Sequence, residues 1–175
     1  MHQTDSNNIK IGLIFFGRER PGFDQSYSSF MEKKVIDYLR NTEFEITQAP
    51  AKVVNEVTVR NAINNFIDKK VEVIIGLQTS MADARYIPTL TQLWPHPIVL
   101  WATPEKQKGD VISSCSLIGT HNFASVLRNS DHPFRLIYGD PDDTDLQRKL
   151  NEAVYLAHTV FRIRQCRVGH IGSQA

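Results

Sequence analysis

The sequence predicts an α/β protein, a flavodoxin-like three-layer sandwich built on a five-stranded parallel sheet. Three observations carry that expectation. Short apolar runs alternate with amphipathic stretches from end to end, and right-handed crossovers turn such a pattern into a parallel sheet covered on both faces. The runs at 9–16 and 71–76 are apolar on both strand faces, as central parallel strands require. With 175 residues, 41% of them hydrophobic and 22% charged, the chain can bury the core of one domain.

Residues 9–16 form the expected first strand. In 25–40, Tyr27, Phe30, Met31, Val35, Tyr38 and Leu39 line one helical face. A short second strand is expected at 43–48. Val59, Ala62, Ile63, Phe66 and Ile67 then follow the i, i+3, i+4, i+7, i+8 spacing of a second helix. The third strand is 71–76. Residues 80–94 read as a less regular helix that Pro88 should kink or divide. Pro95 and Pro97 precede a strand at 98–102, a helix is expected within 113–128, and 134–138 is the fifth strand. Asp142 and Asp143 offer an N-cap to the longest helix, marked by Leu146, Leu150, Ala153, Val154, Ala157, Val160 and Phe161. Arg162 and Arg164 suit its negative end.

These elements place the domain at 9–166, after a flexible N-terminus at 1–8. Residues 167–175 read as the truncated start of a following strand–turn unit, with apolar Val168 and Ile171 set between Gly169 and Gly172.

A net charge of +1, with acids and bases mixed along the chain, gives no electrostatic footprint for nucleic acid. The N-terminus lacks a basic-then-apolar signal pattern, and no apolar run approaches the roughly 20 residues that span a bilayer. Cys115 and Cys166, far apart in sequence, read as reduced thiols. The expectation is a cytoplasmic protein with no membrane partner.

In an open parallel sheet, ligands bind beyond the carboxyl ends of the strands. Four loops meet that condition. The first, 17–23, carries Arg18, Glu19 and Arg20, which could bond hydroxyls or an anion, or form a solvated turn. The second, 76–80, offers Gln78, Thr79 and Ser80 to a polyol, or caps a helix. The third places Trp101 where an indole could lie against a sugar face or pack in the core, with Glu105 as an acceptor. The fourth, 119–122, holds His121, an acid/base candidate with no identified carboxylate partner. The acids Asp140, Asp142, Asp143 and Asp145 could attract a cation, but they open the longest helix, where capping accounts for them.

No catalytic set is complete. There is no Walker loop, dinucleotide GxGxxG, HExxH or Gly-x-Ser-x-Gly turn, and the six histidines show no ligand spacing.

In order and spacing, the strings KIGLIFFGRERPGF, VEVIIGLQTSMADA, PIVLWATPE and SLIGTHNFASVLRNSDHPFRLIYGDPDD, followed by RVGHIGSQA, resemble the first N-terminal domain of the L-fucose isomerase/L-arabinose isomerase superfamily. The resemblance implies an aldose–ketose isomerase in the full-length member, using manganese or another divalent cation held by later domains. This chain departs from the family by lacking those catalytic motifs. It implies, for this domain, recognition of a monosaccharide or polyol and assembly with the remaining domains or neighbouring subunits of a homo-oligomer. Carried over by position, Arg18 is the leading sugar contact, with Gln78, Trp101 and His121 behind it. No catalytic residue, metal ligand or cofactor of its own is expected, and the chain alone should be inactive. The competing reading is a free-standing small-ligand binding or regulatory module of the same fold.

Overall fold

Five strands run parallel in one sheet: β1 (Lys10–Phe16), β2 (Glu45–Gln48), β3 (Val73–Gln78), β4 (Ile98–Ala102) and β5 (Phe134–Tyr138). Their spatial order is β2-β1-β3-β4-β5. The computed structural model describes residues 8–18, 21–106, 109–169 and 171–172. The expected flexible N-terminus therefore lies almost wholly outside the described residues.

Helices cover both faces, giving the expected α/β three-layer sandwich. Helices α1 (Gln25–Arg40) and α5 (Thr144–Gln165) bury Met31, Val35, Leu39, Leu150 and Val154 against Leu13, Ile75 and Trp101. Helices α2 (Glu56–Asp68), α3 (Ile87–Leu93) and α4 (Ser116–Asn129) bury Ile63, Phe66, Leu90, Phe123 and Leu127 against Ile14, Ile74 and Leu100. β1, β3 and β4 thus each feed two cores, which is why their residues read as continuous apolar runs.

The helix starts are fixed by local chemistry. Asp24 caps α1 by accepting from Tyr27 N at 2.9 Å. Asn55 and Thr58 form a reciprocal capping box at α2. Asp143 caps α5, accepting from Asp145 N at 2.9 Å. Asp140 accepts from Lys34 Nζ at 2.5 Å and from Asp142 N at 2.9 Å, so Asp140 and Asp143 anchor and cap rather than ligate.

Several boundaries differ from the sequence reading: β2 starts at Glu45, and β3 runs two residues beyond the expected 76, so Gly76, Leu77 and Gln78 belong to the strand and not to the loop after it. The helix expected over 80–94 is an open loop, a 3₁₀ turn (Ala84–Tyr86) and then α3. Pro88 stands in the first turn of α3, where its missing N–H is no loss, so it opens the helix instead of kinking it. The helix expected within 113–128 starts only at Ser116, because Ser113 and Ser114 are bonded to Glu105. Beyond α5, Val168 and Ile171 are 93% and 101% exposed and belong to no strand.

Candidate functional site

The connections leave β1 for β2 on one side and reach β3 on the other, so the sheet switches direction between β1 and β3. Ligands collect at that point in open α/β sheets. Here the loops after β1 and β3 are stitched together. Arg18 N donates to Ser80 Oγ at 2.8 Å, and Ser80 Oγ donates to Arg18 O at 2.8 Å. Gly17 permits the approach, since a Cβ there would lie 2.7 Å from Ser80 Oγ.

Beside this seam is a pocket of ≈ 200 Å³ lined by Arg18, Val54, Asn55, Glu56, Asp83, Arg85 and Tyr86. Asp83 organises it. One carboxylate oxygen accepts from Arg85 Nε at 2.8 Å and lies 3.4 Å from an Arg18 guanidinium nitrogen. The other accepts from Arg85 N at 3.0 Å. The bonds from Arg85, side chain then backbone, hold the Asp83 carboxyl down to about 2. Tyr86 closes the pocket floor, packed on Phe16 and Phe123 at centroid distances of 6.1 and 5.9 Å. Its hydroxyl is buried with no hydrogen-bond partner among the described residues, and burial pushes its pKa up. Two guanidiniums, two carboxylates, an amide and a neutral phenol make a charge-balanced lining suited to hydroxyl groups.

On the α1 side of the same seam, Glu32 accepts from Thr79 Oγ1 at 2.8 Å and from Lys52 Nζ at 2.6 Å. Sequence reasoning passed over Glu32 and Lys52. They lie 20 residues apart and meet only because Val53 bridges to Phe16 and carries the loop after β2 up beside β1.

The four candidate residues are not brought together. Arg18 alone lines the pocket. Gln78 is 1% exposed, and its Oε1 accepts from Ala82 N at 2.9 Å, clamping the loop after β3. Trp101 is 0% exposed; its Nε1 donates to Gly139 O at 3.0 Å and its ring meets Tyr38 edge-on at 6.1 Å. Neither presents a surface to solvent. His121 is exposed on α4.

Glu105, the expected hydroxyl acceptor, accepts from its own chain: Ser113 Oγ, Ser114 N and Oγ at 2.9 Å, Cys115 N at 3.0 Å and Ser116 N at 2.7 Å. Burial pushes its carboxyl up, but these donors together hold it below the usual range. Cys115 has a left-handed backbone (φ 52°) and makes no side-chain cap, so Glu105 caps α4 in its place. Both cysteines are free.

Among the described residues no three His, Cys, Asp or Glu side chains are grouped to hold a metal ion, and no helix is long and apolar enough to cross a membrane. The manganese that the family resemblance implies thus finds no fitting donor set there.

No protein-family model matches the chain. It is similar to sugar isomerases. Against the sulfoquinovose isomerase of Priestia aryabhattai it is 22% identical over 166 residues, covering 94% of this chain and 36% of that protein. Against the sulfoquinovose isomerase of Alkalicoccus urumqiensis it is 26% identical over 101 residues, covering 58% of this chain and 23% of that protein. The chain thus spans about a third or less of the length of these curated relatives. Among solved structures, a periplasmic solute-binding protein of an ABC transporter from Actinobacillus succinogenes, with bound D-allose, aligns with a TM-score of 0.36 and 12% identity. That alignment covers 87% of this chain and 66% of that one.

Proposed function

We propose that this chain is the substrate-recognition and assembly domain of a cytoplasmic aldose–ketose isomerase of the L-fucose/L-arabinose isomerase type. The observation that carries the reading is the similarity to sulfoquinovose isomerases along 94% of this chain but only 36% of theirs. In this reading manganese or another divalent cation, and the carboxylates that move the proton between adjacent carbons, belong to parts of the full-length enzyme outside these 175 residues.

The chain's own contribution is binding. Arg18 and Asp83, each holding the other in place, and the unpartnered Tyr86 hydroxyl would meet sugar hydroxyls in the switch-point pocket. Arg85, with its side chain 82% exposed, would reach the sulfo group of sulfoquinovose. Gln78 clamps the loop that carries Asp83, Trp101 serves as framework in the core on the other face of the sheet, and exposed His121 stays available to a sugar held between subunits.

The test is turnover. The purified chain, supplied with sulfoquinovose and manganese, should form no ketose detectable by NMR. Ketose formed by this chain alone would overturn the reading.

A further inference from the structure

Strand β5 ends the sheet with its outer side open. Gly139 N donates to Ala102 O, and Ile98 N to Pro133 O, both at 3.1 Å. Residues 133, 135, 137 and 139 therefore turn their backbone groups toward β4. By the alternation of a strand, the N–H and C=O groups of Phe134, Leu136 and Tyr138 point outward, and no described residue bonds them. The opposite edge is guarded differently: β2 is four residues long, with Glu45 and Gln48 exposed. β5 leaves Tyr138 49% exposed. A groove of ≈ 600 Å³ runs beside it along α5, lined by Arg135, Ile137, Glu152 and Leu156 among others. It continues into an apolar hollow of ≈ 210 Å³ that shares Arg135 and Leu156.

The geometry points to a second copy of this chain as the occupant, its β5 lying antiparallel to this one about a two-fold axis through Leu136. That register pairs Leu136 with its own counterpart and Phe134 with Tyr138 of the second copy. Facing residues of this kind exchange both hydrogen bonds, so all three outward N–H and all three outward C=O groups are satisfied on each chain. Sliding either way leaves Phe134 or Tyr138 without a facing strand residue. The side chains agree. Phe134 and Leu136 project to the α4 face, so a central leucine pair is flanked on each side by a phenylalanine–tyrosine pair. On the α5 face the two grooves merge, bringing Arg135 and Glu152 of both copies beside the axis. Arg135 makes no ion pair among the described residues, and Glu152 pairs only with Arg148, whose side chain is 57% exposed. Arg148 and Lys149 also line the groove, each paired with Asp145 on its own helix, so Arg135 is the lining cation left to meet Glu152 across the axis. Val168 and Ile171 are almost fully exposed, so neither is packed against this edge.

This interface gives the assembly part of the proposed function a definite partner, and it rests on that reading only there. The experiment is sedimentation of the 175-residue chain over a range of concentrations, without sugar. A monomer–dimer equilibrium is expected. Leu136→Pro should abolish it with the far-UV spectrum retained, because it removes an outward N–H and the facing leucine side chain but none of the bonds to β4. Tyr138→Lys, a surface change, should do the same. In a Cys115→Ser, Cys166→Ser background, Leu136→Cys should form a disulfide-linked dimer, since facing Cα atoms lie within disulfide reach. Arg135→Cys should not. A wild-type monomer at every concentration overturns the proposal. So does a dimer that survives both substitutions, or an open-ended polymer, which would signal β5 pairing with β2. Loss of sugar binding would leave each of these outcomes unchanged, so the two readings fail separately.

Discussion

Gly119→Ala tests how the loop after β3 is locked beneath the pocket. A Cβ at Gly119 would lie 2.0 Å from Gln78 Oε1 and 2.7 Å from its Cδ. Gln78 is 1% exposed and cannot swing into solvent, and its Oε1 holds Ala82 N at 2.9 Å. Displacing it leaves a buried N–H unpaired, at a cost of about 1–3 kcal/mol. Crowding adds a cost of similar size. Alanine in a helix interior returns about 1 kcal/mol relative to glycine. The expected net loss is about 1–5 kcal/mol in urea unfolding. In a Gln78→Ala background the clash is gone, and Gly119→Ala should instead stabilise by up to about 1 kcal/mol. The sign of the effect therefore reverses between backgrounds. Equal effects in both, or stabilisation of the wild type, would refute the packing argument.

Three further outcomes are expected. Trp101→Phe should cost about 1–3 kcal/mol by stranding Gly139 O, with sugar affinity unchanged in calorimetry. Glu105 has its folded pKa lowered, so its contribution is full above the unfolded value, about 4.3, and is lost as pH falls through the folded one. Glu105→Gln should accordingly flatten the acid limb of stability against pH, measured by denaturant midpoints between about pH 2 and 5. Asp83→Asn should release both guanidiniums and weaken sugar binding about tenfold, the effect of losing roughly 1.4 kcal/mol, as read by calorimetric titration.

The layered fold was legible because the central strands had to satisfy two cores, and runs such as VIIGLQ admit few other uses. Loop chemistry was less so. Gln78 and Trp101 stand at strand ends, where a ligand contact and a buried clamp use the same residue types. Only their long-range partners, Ala82 with Gly119 and Gly139, decide between the two. Asp83 and Tyr86 escaped notice for a related reason. The sequence suggested a helix starting at Ser80, which hid the turn that brings them to Arg18. Glu105 reads in the sequence as an acceptor for sugar hydroxyls, but the donors it meets, from Ser113 to Ser116, follow it within its own chain.

The central claim is that this domain holds sugar at the β1/β3 switch point. A ¹⁵N–¹H titration of the chain with sulfoquinovose addresses it most directly. Saturable shifts at Arg18, Asn55, Asp83 and Arg85, reduced by Arg18→Ala, are the predicted result. Shifts clustered elsewhere on the surface, or a spectrum that sugar leaves unchanged, would contradict it.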